Sequence, residues 1–468
     1  VVSRQQDEVK ETRGPAKQAA LEADGSWKVP AVKFAQANGG KPEEIYFKRD
    51  GKNEYCYLKV LRKGKSLSEE ASRLVTGLVT GLQFPKVMGW ETFALTFSRP
   101  VRWLVALHGA CVLPVRLVLA PAEAGKPERV LSAGRATCGH RRLGEPGFDV
   151  PAASAYLETL RKHQVLAAQE ERMKELHRAV ETASQKQGLP SPQEDALYRE
   201  VLHLVEYPAA LVGTVPEHAV GLPEEIVITP MREQQRYFPL RDEAGKLSRH
   251  FVVVTNGAYA APAQEMIRKG NEKVLGARLR DARYFWDVDR KKTLEEHARG
   301  LTRIQFHQKL GSMADKVTRL NRLAELVAAD FPALSREKLE KVLGLMKADL
   351  GTKMVFEFTS LEGLVGMHYA LDQGMDPEIA AALFEHRIPR FAGDRLPQGV
   401  LGRVAGLLDR VDTLCGFLGI GLKVTGSRDP YGLRRLALAL LKIASDARIE
   451  LDLGKWIDAS LSLYGPLV

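Results

Sequence analysis

Residue 258 divides the chain into two kinds of pattern. Before it, short runs rich in aromatic and β-branched residues recur between glycine and proline turns; after it these fade, and apolar residues return every three or four positions. A period of two puts alternate side chains on the two faces of a strand, whereas a period near 3.6 gathers them on one side of a helix. The pattern predicts an α+β protein, a multidomain mixed α/β body followed by a mostly helical region. At 468 residues the chain exceeds the roughly 250–300 residues at which a single core stops growing. We divide it into an amino-terminal mixed α+β body at 1–110, a second α+β domain at 111–257, a basic helical connector at 258–334, a helical domain at 335–450 and the start of a linker at 451–468.

Within the body, 32–37 reads as a short helix, 54–61 as a strand through Tyr55, Tyr57 and Val60, and 66–82 as a helix with Ser68 as N-cap. Strands are expected at 93–97, 104–107 and 115–119. Arg99 and Arg102 beside Trp103 have the chemistry to clamp a phosphate or to close an ion pair. His140, between Gly139 and the pair Arg141 and Arg142, reads as an exposed basic turn residue suited to phosphate. A helix is expected over 154–183, and 226–240 (IVITPMREQQRYFPL) reads as an apolar strand opening onto a polar block. There Arg232, Gln235, Arg236 and Tyr237 offer donors either to RNA or to an interdomain surface. A strand at 251–255 closes the region.

The clearest helix is 271–287. Leu275, Leu279, Ala282 and Trp286 fall on one face, Lys273, Arg280 and Tyr284 on the other, and Arg278 and Arg283 flank the apolar stripe. One side can bury while the other presents cations. The net charge of +10 and a pI near 9.3 lean the same way, toward a polyanionic partner. Four scattered cysteines in no CxxC pair fit reduced thiols of a cytoplasmic protein. No signal peptide or membrane-spanning run is evident.

The helical region holds Glu357, His368, His386, Asp409 and Asp412, which invite a test for metal. A helical phosphohydrolase of the HD type uses a His-Asp dyad and a distant aspartate to hold the ion that activates water. Here His386 is followed by Arg387, so the expected site lacks a ligand. What remains is basic: Arg387, Arg390, Arg395 and Arg403 around the turn at 389–394, and Arg434 and Arg435 on a helix expected to start with Asp429 as N-cap and Pro430 at its first position.

The runs SRPVRWLVALHG (98–109), TPMREQQRYFPL (229–240), GNEKVLGARLRDARYFW (270–286), FHQKLG (306–311), KADLGTKMVFEF (347–358), EHRIPRFAGD (385–394) and LLDRVDTLCGFLGIGLKVTGSRDPYGLRR (407–435) resemble, in order, the β subunit of the bacterial two-subunit glycyl-tRNA synthetase. GPAKQAA, near Gly14, extends the match toward the first residues. The resemblance implies a mixed α/β body, a mostly helical HD-like domain without a complete metal site, and an amino-terminal segment and carboxy-terminal anticodon-binding domain that this chain lacks. It implies an α2β2 assembly in which the α subunit uses ATP and Mg2+ to make glycyl-adenylate, with no cofactor expected on the β subunit. The partners implied are the α subunit and tRNA(Gly), with 111–257 a candidate for either contact. We take Arg278, Arg280, Arg283, Arg387, Arg390, Arg434 and Arg435 as tRNA-binding candidates, with Arg99, Arg102, His140, Arg232 and Arg236 secondary. An HD-type metal-dependent phosphohydrolase and a non-catalytic RNA-binding or structural module are the competing readings.

Overall fold

The computed structural model describes residues 5–465 apart from 52, 91–94, 123, 124, 126, 333, 426–428 and 450. The chain forms two compact units, 1–168 and 169–468.

In the first unit the run through Tyr55, Tyr57 and Val60 is the centre of a three-stranded antiparallel sheet. Asn53–Arg62 lies between Glu8–Ala16 and Tyr46–Asp50, with Tyr57 opposite Arg13 on one side and Tyr46 on the other. Alternation sends Cys56 and Leu58 to one face, where they are buried with Ala20, Ala31, Ala35 and Ile45 in a core that includes the helix Val29–Ala37. Tyr55, Tyr57 and Lys59 turn to the other face. The helix Leu67–Gly81 begins at Ser66, not at the expected Ser68. Ser66 Oγ accepts from Glu69 N at 3.3 Å, while the Glu69 carboxylate accepts from Ser66 N at 2.6 Å. This reciprocal pair needs an acid three residues after the cap, and Glu69 stands there for Ser66.

Two other expectations are corrected. The strand expected at 104–107 shrinks to a bridge from Val105 to Gly134 and the two-residue strand Leu107–His108. The helix expected over 154–183 breaks into Tyr156–Lys162 and Gln169–Gln185, because Gln164 takes a left-handed φ of 62° that no α-helix continues through. Of the strand expected at 93–97, residues 93 and 94 lie outside the described residues, and Thr96–Phe97 pairs with Met88–Gly89.

The second unit contains another three-stranded antiparallel sheet, in which Leu247–Asn256 runs between Pro208–Thr214 and Phe238–Arg241. Val252 shares a core with Leu176, Val180, Tyr198 and Leu202 of the helices Gln169–Gln185 and Asp195–Leu202. Phe251 and Val253 join Leu275 and Leu279 of the 29-residue helix Ala261–Asp289. Adjacent residues of one strand thus feed two cores, as its period of two requires. The strand expected from 226 is instead a helix, Glu224–Thr229, running into a π-helical turn at Pro230–Gln234 before the strand Phe238–Arg241. A short apolar run does not distinguish strand from buried helix, and Glu224 and Glu225 stand in the first turn, where carboxylates favour a helix start.

Beyond the long helix the unit is largely helical. Met313–Leu326, Arg336–Leu345, Pro377–Glu385, Leu433–Asp446 and Leu453–Tyr464 contribute to one core with Val400–Gly419, whose buried residues include Leu401, Val404, Leu408, Val411 and Cys415. The helix expected to start at Pro430 starts at Leu433, after Gly432 with φ 66°. Asp429 still serves the helix end from outside, accepting from Leu433 N at 2.8 Å and Arg434 N at 3.0 Å. Gly426, Ser427 and Arg428, before that start, lie outside the described residues.

Candidate nucleic-acid interface

The apolar stripe of Ala261–Asp289 fixes which way its arginines point. Leu275, Leu279, Ala282 and Trp286 are buried, which leaves Lys273, Arg280 and Tyr284 exposed. Arg280 has no acidic partner among the described residues. Its flanking neighbours are engaged. Arg278 pairs with Glu357 at 3.6 Å. Arg283 donates through Nε to His218 O at 3.2 Å and through Nη2 to Val220 O at 2.6 Å, tying the segment 218–220 to the helix.

The second arginine group divides the same way. Arg387 pairs with Glu362 at 2.8 Å, and Arg390 with Asp394 at 3.1 Å. Arg434 and Arg435 are exposed, with no acidic side-chain partner among the described residues. With Asp429, Lys442, Pro389, Phe391 and Leu438 they line a hollow of about 400 Å³. Phe391 and Leu438 are exposed in it. Guanidinium groups beside an exposed ring suit phosphate and an unstacked base together.

The secondary residues are mostly committed within the protein. Arg232 pairs with Glu194 at 2.8 Å and Arg236 with Glu200 at 2.6 Å. Arg99 and Arg102 are exposed, and Trp103 donates its indole N–H to Thr137 Oγ1 at 3.1 Å. His140 is not the exposed turn residue expected. It is 2% exposed, and its Nδ1 accepts from Arg142 N and Leu143 N, both at 3.2 Å. A ring folded under its own turn replaces two backbone acceptors that the turn lacks.

The residues tested for metal are drawn apart or filled in. Glu357 holds Arg278, and His368 meets Glu225 at 3.1 Å. His386 and Asp409 do converge, but Lys347 Nζ stands between them, 3.2 Å from His386 Nε2 and 2.8 Å from Asp409 Oδ2. Lys316 Nζ completes the cluster at 3.0 Å from Asp409 Oδ1 and 2.7 Å from Asp412 Oδ2, and Arg319 Nε donates to Asp412 Oδ1 at 2.9 Å. Lysine ammonium groups occupy the space that an ion bridging His386 and Asp409 would need. These donors do not fit a metal, and among the described residues no group of three His, Cys, Asp or Glu is placed to hold one.

The protonation states follow. Burial and the ammonium of Lys347 hold His386 well below its ordinary range, so the ring is neutral. Its Nδ1 donates to Leu383 O at 2.8 Å, leaving Nε2 to accept from Lys347. Burial alone would raise Asp409, but Lys316 and Lys347 hold it well below the carboxylate range. Burial opposes the charge on Lys316 as well, and Asp409 and Asp412 overcome it and raise its pKa. Arg410, also buried, donates to the carbonyls of His386 at 2.8 Å and Ile388 at 2.9 Å, fixing the turn that presents Arg387 and Arg390.

Sequence reasoning missed Lys316, Arg319, Lys347 and Arg410. A signal existed for the first two. Lys316 and Arg319 precede Leu320 and Leu323 at helical spacing on the buried side of Met313–Leu326, and a charge on an apolar stripe demands a buried partner.

A family model described as glycyl-tRNA synthetase beta subunit matches residues 1–466. The chain belongs to this family. It is 39% identical over 456 residues to the glycine–tRNA ligase beta subunit of Halalkalibacterium halodurans, covering 97% of this chain and 63% of that one. Against the beta subunit of Bacillus subtilis it is 39% identical over 453 residues, covering 95% and 64%, and against that of Clostridioides difficile 38% over 468 residues, covering 99% and 66%. The chain thus spans a little under two thirds of the length of these relatives. The family assignment covers the long helix, the ionic cluster and both arginine groups in one match. Among the described residues no helix is long and apolar enough to cross a membrane.

Proposed function

We propose that this chain serves a bacterial glycine–tRNA ligase as its β-subunit portion, holding tRNA(Gly) in the cytoplasm for ATP-dependent glycylation by the α subunit of an α2β2 assembly. The observation that carries this reading is the family match across residues 1–466. On this reading ATP and Mg2+ are used by the α subunit and this chain supplies position. Holding the RNA's terminal adenosine against an activated carboxyl group turns a bimolecular encounter into an oriented one, which is worth several kcal/mol of barrier. The region 335–450 is read as an HD-like domain whose ion site has become an internal salt bridge, in keeping with Lys347 between His386 and Asp409.

Exposure ranks the RNA-facing residues. Arg280, Arg434 and Arg435 come first: none has a carboxylate within ion-pair distance among the described residues, with Asp429 beside Arg434 as the one acid lining that hollow. Arg278 follows, because a single long ion pair holds it. Arg283, Arg387 and Arg390 act on RNA through the backbone and turns they hold. The test is tRNA(Gly) binding at a series of salt concentrations by the native chain and by Arg280→Gln and Arg434→Gln/Arg435→Gln. Each phosphate contact removed should lower the slope of log K against log salt by about 0.7–0.9. Slopes and affinities equal to native would end the assignment of these residues.

A further inference from the structure

The uncovered face of the first unit's sheet carries a second kind of surface, one that no arginine candidate touches. Side chains alternate along Asn53–Arg62, so while Cys56 and Leu58 enter the core, Tyr55, Tyr57, Lys59 and Leu61 stand on the outer face. Register adds Val9, Glu11 and Arg13 from one neighbour strand and Tyr46 and Lys48 from the other. Val9 and Leu61 are 60% and 56% exposed, so no other part of the described chain packs over that end of the face.

Aromatic rings and cations interleave across this face. Tyr46 and Tyr57 lie with centroids 6.1 Å apart at an interplanar angle of 31°. The Arg13 guanidinium carbon sits 3.8 Å from the Tyr55 ring centroid, Lys48 Nζ 5.4 Å from that of Tyr57, and Lys59 Nζ 5.6 Å from that of Tyr46. The two acids present are already spent. Glu11 accepts from Lys48 Nζ at 2.7 Å and from the Tyr46 hydroxyl, and Asp50 pairs with Arg13 at 2.8 Å. Lys59 has no acidic partner within ion-pair distance among the described residues, so the face is left mildly positive.

We propose that this sheet face is a stacking platform for an unpaired stretch of RNA, with bases on the guanidinium over Tyr55 and on Tyr46 and Tyr57, from whose rings Lys59 and Lys48 swing away to meet the RNA backbone. It rests on the tRNA reading for the source of that RNA. Flat aromatic faces on a sheet accept any unstacked base, whereas paired bases in an A-form helix are hidden from a flat surface. The near-balance of charge makes stacking the larger contribution, so binding here depends less on salt than binding through Arg280, Arg434 and Arg435.

The test measures anisotropy of a labelled unstructured octaribonucleotide and of a blunt RNA hairpin with the whole chain, in native form and as Tyr57→Val, Tyr46→Val and Tyr57→Phe. Valine keeps strand propensity and phenylalanine keeps the ring. The proposal expects each valine variant to lose about tenfold in octamer affinity, Tyr57→Phe to keep it, and hairpin binding to stay unchanged. Octamer affinity unchanged in both valine variants, or lost equally in Tyr57→Phe, would overturn it. So would valine variants that bind octamer normally but no longer associate with the synthetase α subunit, since the face would then dock protein. Tyrosine-dependent octamer binding with no binding of tRNA(Gly) would retain the platform and reject the tRNA reading; tRNA binding through the arginines with tyrosine-independent octamer binding would do the reverse.

Discussion

At the scale of single residues, the decisive one is Lys347. Its ammonium, 5% exposed as a side chain, bridges Asp409 and a neutral His386. Removing one partner of a buried ion pair strands the other, at a cost of about 3–5 kcal/mol. Lys347→Met should therefore cost close to the low end, because Lys316 still faces Asp409; urea unfolding measures it. Asp349 makes a prediction about pH. It is 1% exposed, and burial pushes its carboxyl up to about 7, against about 3.9 for an unfolded aspartate. Between those values the folded state holds a proton that the unfolded state has lost, so this group's contribution to stability falls as pH rises. Asp349→Asn removes that slope: from pH 5 to pH 8 the native chain should lose more unfolding free energy than the variant, by a few kcal/mol at about 1.4 per unit. Equal changes would mean that Asp349 is ionised throughout. Little of this was legible beforehand. The helix period put Arg280 on the solvent side and Arg283 beside the apolar stripe, but only folding shows that two backbone carbonyls hold Arg283.

Among the elements, the long helix was the most legible, because its period of 3.6 places Leu275, Leu279, Ala282 and Trp286 in the core whatever surrounds it. Leu279→Ala should cost about 2–5 kcal/mol by thermal or urea unfolding, as fully buried leucines do. The start of Leu67–Gly81 gives a sharper contrast. Ser66→Ala should cost about 1 kcal/mol and Ser68→Ala much less, since only Ser66 receives a backbone N–H; a reversal would restore the original placement of the cap. Misread elements share one cause. At 226–229 a short β-branched run is buried as a helix, and at Gln164 one left-handed residue interrupts an otherwise helical pattern. Neither leaves a period long enough to read.

For the molecule as a whole, the order of strands before helices was legible because it is a property of long windows, and the observed sheets and helices follow it. The arrangement at His386 was half legible. Sequence located the departure from a metal dyad at Arg387, whereas the cation that stands in the site is Lys347, which lies 39 positions from His386 in sequence. Arg387 turns instead to Glu362. Pairing across such distances is set by helix packing and leaves no local trace. Under the proposed function, this chain would position RNA and take no part in adenylate formation. The most direct measurement pairs the α subunit with the β subunit carrying Arg280→Gln, Arg434→Gln and Arg435→Gln, and compares glycylation of tRNA with ATP–pyrophosphate exchange driven by glycine. KM for tRNA should rise at least tenfold while exchange stays at the native rate. A fall in exchange, or glycylation unchanged in KM and kcat, would contradict the proposed function.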